Sequence, residues 1–412
     1  MSTTRILLFT VVVPTFWFGL HLYIGRRLFD RTAVPQQLRQ LGWGVLLGLA
    51  TITLVTQFGA RSGLEAMIGS WIDPLYWISA LHMGFFCLLL ATVAISEPLR
   101  WWWARRRPAT HPATPTPASP DPSTSETLPS TLNPPTDPGR RTFLKGLNLG
   151  VLGMSGAMTA YGASRALRTL EVVDVTVAID NLPQALEGFR IVQISDLHVG
   201  PTVRRPFVER VVKVANSLGG DLIAVTGDLV DGHVEQRRPD VAPLAQLKAP
   251  QGVFYVTGNH EYYWGVHPWL KEVKRLGFKA LNNTHTVLNN GLVIAGVTDL
   301  KGDNFDPTHA SDPHAAIAGA PADAIKVLLA HRPRSAFEAT QAGFHLQLSG
   351  HTHGGQFAPW SLLVWLAQPF LAGLHQLDGM AVYVSRGTGY WGPPVRIGAD
   401  PEITRLTLVS RS

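Results

Sequence analysis

Ser349 to Gln356 reads SGHTHGGQ, two histidines one residue apart, set among glycines and preceded by the strand-like run His345–Leu348. In an extended chain, residues two apart face the same side. His351 and His353 therefore present their imidazoles together where the strand gives way to a turn. The flanking glycines let the backbone bend sharply and let an ion or a phosphate approach where a Cβ would otherwise stand. This is a metal-ligand arrangement, and it needs partners from elsewhere in the chain.

The partners stand upstream, each at the end of an apolar run. Ile191 to His198 reads IVQISDLH, Leu222 to Asp231 reads LIAVTGDLVD, Val253 to Glu261 reads VFYVTGNHE, and Val327 to His331 reads VLLAH. Each is a short run of β-branched and aliphatic residues, of the kind that forms a fully buried strand, broken by Asp, Asn or His. Five strands thus carry carboxylate, amide and imidazole groups to one sheet edge. These blocks resemble the signature of the calcineurin-like metallophosphoesterases: Asp-x-His, Gly-Asp-x-x-Asp, Gly-Asn-His-Glu, a lone His and Gly-His-x-His. Every block is present without substitution.

The resemblance covers residues 171–412 and implies an α/β catalytic domain, a four-layer α/β/β/α metallo-dependent phosphatase sandwich of two mixed sheets between helices. Ligands at the carboxyl ends of strands agree with where open α/β sheets bind. By resemblance, Asp196, His198 and His353 hold a first metal ion, Asp228 bridges, and Asn259, His331 and His351 hold a second. Two divalent ions about 3.5–4 Å apart can clamp a phosphoryl oxygen and activate water. Oxygen and nitrogen donors without thiolate suit Mn, Fe, Zn or Mg. His260 follows Asn259, and the resemblance gives it the role of stabilising the transition state or protonating the leaving oxygen. Asp231 matches the family's partner for that histidine, fixing its tautomer. Glu261 reads as structural rather than as a ligand. Arg332 and Arg386 are candidates for phosphate contact or for salt bridges within the fold. His233, His267, His285, His309, His314, His345 and His375 lie outside the blocks and read as exposed or locally hydrogen-bonded.

The remaining strand-like runs of this region include Val173–Ala178, Leu292–Val297, Ala324–Leu329, Ala381–Ser385 and Ile403–Val409. Helical patterns occur at Val203–Leu218, His267–Leu276 and Arg334–Ala342. Trp360–Leu374, WSLLVWLAQPFLAGL, follows the His-x-His loop and is too short and too interrupted by Pro369 to span a membrane. It reads as a core helix, a bilayer-docking segment or the lining of an acyl-chain pocket.

The chain has 412 residues, 46% of them hydrophobic, which points to membrane segments in addition to a soluble core. Its single cysteine, Cys87, excludes an intrachain disulfide. The net charge of +6 is accounted for by eleven basic residues (Arg26, Arg27, Arg31, Arg39, Arg100, Arg105, Arg106, Arg107, Arg140, Arg141 and Lys145) against five acidic ones (Asp30, Glu97, Asp121, Glu126 and Asp137), in segments that flank apolar stretches. The rest of the chain is neutral overall, which argues against a basic groove that tracks nucleic acid.

Residues 1–107 read as a transmembrane α-helical region with three spans, Ile6–Ile24, Leu41–Ala60 and Leu75–Ser96, each apolar, free of Asp, Glu, Lys and Arg, and long enough to cross a hydrocarbon layer. None has the polar face of a soluble helix. Residues 108–139 are dominated by Pro, Thr and Ser and read as a disordered linker. Residues 140–165 open with RRTFLKG and continue in a Gly-rich apolar stretch, which reads either as a twin-arginine-like signal or as a fourth span. Arginine-rich flanks after the first and third spans place those flanks inside, and the catalytic domain then lies outside the cytoplasm of a multi-pass inner-membrane protein.

These features together point to a membrane-anchored phosphoesterase acting on a phosphoester or phosphodiester. Lipid or cell-envelope intermediates are candidate substrates, since the SDLHVG, GNHEYY and GHTHGGQ forms look most like a membrane-associated branch related to UDP-2,3-diacylglucosamine hydrolases. A non-catalytic membrane sensor would be marked by lost ligands, and none is lost. A nuclease is disfavoured by the charge distribution.

Overall fold

The computed structural model of the protein describes residues 8–30, 34–59, 72–105 and 138–411. The described residues fall into two compact units. One is drawn from Met1–Leu54 and Phe85–Met158, the other from Val55–Gly84 and Thr159–Ser412.

In the second unit, the strand Arg190–Ile194 (β2) shows why the sequence folds as it does. Four of its five residues are buried, yet successive side chains point to opposite faces. Ile191 enters a cluster with Leu222, Ala224, Phe254, Ile294, Val327, Leu329, Leu346 and Leu348. Val192 and Ile194 enter another with Ile223, Val225, Val208, Val211, Trp269 and Val273, the last four from helices. A strand apolar on both faces has to be covered on both, and that is its situation here.

Two six-stranded mixed sheets result. The first runs β1 (Glu171–Ile179), β12 (Glu402–Ser410), β2, β3 (Leu222–Val225), β4 (Val253–Tyr255) and β5 (Lys279–Ala280). All its neighbours are parallel except β12 and β2. The second runs β10 (Gly373–Leu377), β11 (Met380–Val384), β9 (Leu346–Ser349), β8 (Lys326–Leu329), β7 (Val293–Gly296) and β6 (Thr284–Val287), antiparallel only at its two outer pairs. The large cluster around Ile191 and Val327 draws on both sheets, so it lies between them. Ala295, Leu328 and Ala330 of the second sheet pack outward against Ala316, Ala336 and Ala339.

The expected strands and helices occur, with ends shifted by one or two residues. The strands without a sequence signal are β5, β6 and β10, each at a sheet edge. β6 (THTV) and β10 (GLHQL) have no buried residue, so no apolar run marks them. A helix at Val234–Val241 also lacks an apolar stripe and contains Pro239.

In the N-terminal part, helical backbone runs through Leu8–Val12, Val13–Gly25 and Arg26–Asp30, and long helices occupy Gln36–Gly59, Ile72–Arg105 and Pro138–Arg168. Among the described residues, two helices, Gln36–Gly59 and Ile72–Trp102, have the length and apolar composition that a membrane crossing requires. Within the first unit Ile24, Leu28, Phe86, Leu89, Val93 and Val151 pack together. Thr92 and Ser155 hydroxyls pair at 2.8 Å, and Arg100 Nη2 donates to Asn148 Oδ1 at 2.6 Å, the kind of polar link that joins helices where water is scarce. The Pro/Thr/Ser linker lies almost wholly outside the described residues. The stretch 140–165 falls within the helix Pro138–Arg168.

Candidate metal centre

Each expected site residue sits just past the carboxyl end of a strand. Asp196 follows β2, Asp228 follows β3, Asn259 follows β4, His331 follows β8 and His351 follows β9. The backbone there is unusual. Asp196 (φ 52°), His198 (50°), Asp228 (50°), His351 (72°) and His353 (52°) all lie in the left-handed region, which a residue with a Cβ seldom adopts. Such strain persists only where the surroundings impose it, and it gathers at functional sites. Two glycines make the crowding feasible. A Cβ on Gly350 would strike the Ser195 hydroxyl and the Asp196 carboxylate, and one on Gly258 would strike the Asp228 carboxylate.

The side chains converge in overlapping groups. Asp196, His198 and His353 form one, Asp228, His331 and His351 a second, and His198, Asp231 and His260 a third. His198 Nε2 is 3.0 Å from His353 Nε2, and His353 Nε2 is 3.5 Å from Asp196 Oδ1. His351 Nδ1 is 3.2 Å from His331 Nε2. Asp228 Oδ2 lies between the groups, 3.8 Å from His198 Nε2 and 3.2 Å from His331 Nε2. His331 Nδ1 donates to the Thr226 carbonyl at 2.9 Å, which turns its Nε2 toward Asp228. Facing imidazole nitrogens at such distances, of which only one in each pair can carry a proton, together with buried carboxylates, form a donor set that a divalent cation fits. The groups could therefore hold metal.

Asp231 reaches two histidines. One oxygen contacts His260 Nδ1 and the other is 3.2 Å from His198 Nδ1. The contact to His198 has no sequence signal. Burial opposes charge on His260, but Asp231 and Asp228 outweigh it and hold the imidazole up at about 9. Asp231 is kept well below the ordinary carboxylate range, because His260 and His198 overcome its burial. His260 Nε2 faces Asp228 Oδ2 at 3.9 Å.

Both carboxylate oxygens of Glu261 are engaged by backbone. Its Oε2 accepts from the backbone N–H of Asp228 (3.1 Å) and Gly258 (2.6 Å), and its Oε1 from Leu229 (2.7 Å), so it ties the Gly-Asp loop to the Gly-Asn loop. Arg332 donates to Asp299 (2.8 Å), to Asn259 Oδ1 (3.0 Å) and to His351 Nε2 (3.1 Å). Asn259 thus joins the second group through Arg332. Arg386 takes the salt-bridge alternative, with Glu402 and Glu171. A residue the sequence reading does not single out is Arg396, fully buried, whose Nη1 donates to the His353 carbonyl at 2.7 Å and Nη2 to its Nδ1 at 2.9 Å. Burial lowers its guanidinium to about 10.

The core reading of Trp360–Leu374 does not hold for its helix. Trp360–Ala367 has no buried residue, and Leu362, Leu363, Trp365 and Leu366 are each more than half exposed. His285, His309 and His375 are hydrogen-bonded, as expected of the histidines outside the blocks, and His309 is buried as well.

Residues 189–355 match the family model described as calcineurin-like phosphoesterase. The chain is similar to a Danio rerio protein described as a transmembrane protein with metallophosphoesterase domain, 37% identical over 62% of this chain and 61% of that protein. It is also similar to a Helicobacter pylori protein described as an uncharacterized metallophosphoesterase, 36% identical over 67% of this chain and 74% of that one. Among solved structures, a 5'-nucleotidase precursor from Thermus thermophilus matches with a TM-score of 0.34 and 17% identity over 54% of each chain. The chain thus spans about three fifths of the Danio rerio relative's length.

Proposed function

The chain belongs to the calcineurin-like metallophosphoesterases, and on that premise we propose that it is a membrane-anchored, two-metal phosphoesterase. Asp196, His198 and His353 would hold one ion, Asn259, His331 and His351 the other, with Asp228 shared between them. Bound divalent ions would supply Lewis acidity toward phosphoryl oxygen and an activated water. The chain's own contribution is positional. Asp231 holds His260 by Nδ1, so Nε2 faces the centre, where it can hold a proton against the departing oxygen. Glu261 and Arg396 fix the loops and the His353 ring on which the ligand set depends.

The observation that carries this reading is the position of the Asp228 carboxylate between two histidine groups, with five of the seven proposed ligands held in left-handed backbone. The test is a panel of phosphomonoesters, phosphodiesters, lipid phosphates and nucleotide-sugar lipids, assayed with manganese and with a chelator. Metal-dependent turnover of at least one class is expected, and its absence throughout would favour the sensor reading.

The same proposal extends to architecture and substrate. The clusters on the outer face of each sheet support the four-layer α/β/β/α order. Spans at residues 6–24 and within Pro138–Arg168, added to the two apolar helices, would put the catalytic domain outside the cytoplasm. The exposed apolar helix Trp360–Ala367, close behind the His-x-His loop, favours a phosphorylated lipid or envelope intermediate met at the bilayer surface. An outward-facing domain disfavours UDP-2,3-diacylglucosamine, made from cytosolic nucleotide, and favours a lipid phosphate.

A further inference from the structure

Outside the centre described above, His267, Asp306 and His309 bring one ligand atom each to within 4.8 Å of one another, the spacing also found in the three groups at the strand ends. We propose that these three side chains form a separate binding site for a divalent transition-metal ion, with zinc as its natural occupant.

The three come from two elements. His267 lies in the first turn of the helix Val266–Arg275, and Asp306 and His309 frame the 3₁₀ turn Pro307–His309. Asp306 and His309 are each fixed through one atom, leaving another as the ligand. Asp306 Oδ1 accepts from the Thr308 N–H (2.9 Å) and hydroxyl (2.7 Å), and Oδ2 stands 2.9 Å from His267 Nε2. His309 Nδ1 is hydrogen-bonded to the Tyr262 hydroxyl at 2.8 Å, so Nε2 remains as its ligand nitrogen. A second hydrogen bond on a ligating imidazole is the usual device for holding a ring against a metal. The His309 carbonyl also accepts from the Thr298 hydroxyl at 2.9 Å, which anchors the turn.

Two imidazoles and a carboxylate, with no thiolate, suit zinc with water in the fourth position. Bonds of about 2.0–2.2 Å in a tetrahedron set ligand atoms about 3.3–3.6 Å apart, so small side-chain rotations close this cluster on an ion. Its effect would be mechanical. The loop it pins carries Phe305, whose ring packs on Tyr262 (5.8 Å) and Tyr263 (5.7 Å), and Tyr263 lies 5.2 Å from His260. The ion would hold one wall of the centre without touching its ligands.

The test uses the purified full chain in detergent, stripped of metal and titrated with zinc alone against a weak competing chelator, with bound metal counted by mass spectrometry. His267→Ala removes an exposed side chain, and Asp306→Asn keeps the cap on Thr308, so neither threatens the fold. Each variant is expected to bind one zinc equivalent fewer than wild type, while Asp228→Asn keeps that equivalent. Wild-type stoichiometry in either His267→Ala or Asp306→Asn overturns the proposal. The readout is independent of phosphoester turnover.

Discussion

Replacing Glu261 tests whether the carboxylate organises the site through backbone rather than through metal. It is fully buried and accepts from three backbone N–H groups, those of Asp228, Leu229 and Gly258. A buried donor left without an acceptor costs about 1–3 kcal/mol. Glu261→Ala orphans all three, so the loss is about 3–9 kcal/mol unless water enters, against a total stability of about 5–15 kcal/mol. Glu261→Gln is more informative, because its single oxygen can keep the Asp228 and Gly258 donors while its amide nitrogen faces the Leu229 N–H, leaving that donor and the new amide N–H without an acceptor. Two orphaned donors cost about 2–6 kcal/mol. At about 2–4 °C per kcal/mol for a domain of this size, the Gln variant should melt about 4–24 °C below wild type, and the Ala variant lower still. Thermal unfolding of the purified full chain, followed by tryptophan fluorescence, reads this directly. An Ala variant that melts within about 1 °C of wild type would mean that Glu261 does not hold these loops.

His260→Ala should keep the metal content of wild type and lose roughly 10²–10⁴-fold in turnover, the range expected for a lost acid–base group; metal analysis beside kinetics checks both halves. Replacing Leu362, Leu363 and Trp365 with Ser should weaken turnover of a lipid phosphate far more than turnover of a small chromogenic diester, and equal loss on both would remove the support for a lipid substrate. Protease added to spheroplasts should reach the domain that begins at Glu171; protection, with an external control cleaved, would place it in the cytoplasm.

The strand ends that carry the site are legible in the sequence for a physical reason. A strand buried on both faces is mostly apolar, with Gln193 in β2 a buried exception, so the first Asp, Asn or His after it marks where the sheet ends, as at Asp196, Asp228 and His331. Edge strands such as Thr284–Val287 carry no such contrast, since no residue in them is buried. Arg396 is invisible for a different reason. Its contacts near the site are backbone carbonyls and the His353 ring, and nothing in GPPVRIG announces them. The apolar composition of Trp360–Ala367 fits a core helix and an exposed one equally, because composition records apolar area and not what covers it. The cluster of His267, Asp306 and His309 is spread along the chain with no motif, and only the packing of the Pro307–His309 turn against the neighbouring helix brings it together.

If Asp228 is shared between two metal ions that the site would hold, phosphoester hydrolysis depends on its carboxylate. Asp228→Asn is close to isosteric and removes one negative charge from the position between His198 and His331. Wild type and variant are purified, checked for folding, analysed for bound metal and assayed on the phosphoester that wild type turns over best, with manganese and with chelator. Chelation should silence wild type, and the folded variant should lose both bound metal and turnover. Chelator-resistant hydrolysis by wild type, or undiminished turnover by folded Asp228→Asn, would contradict this.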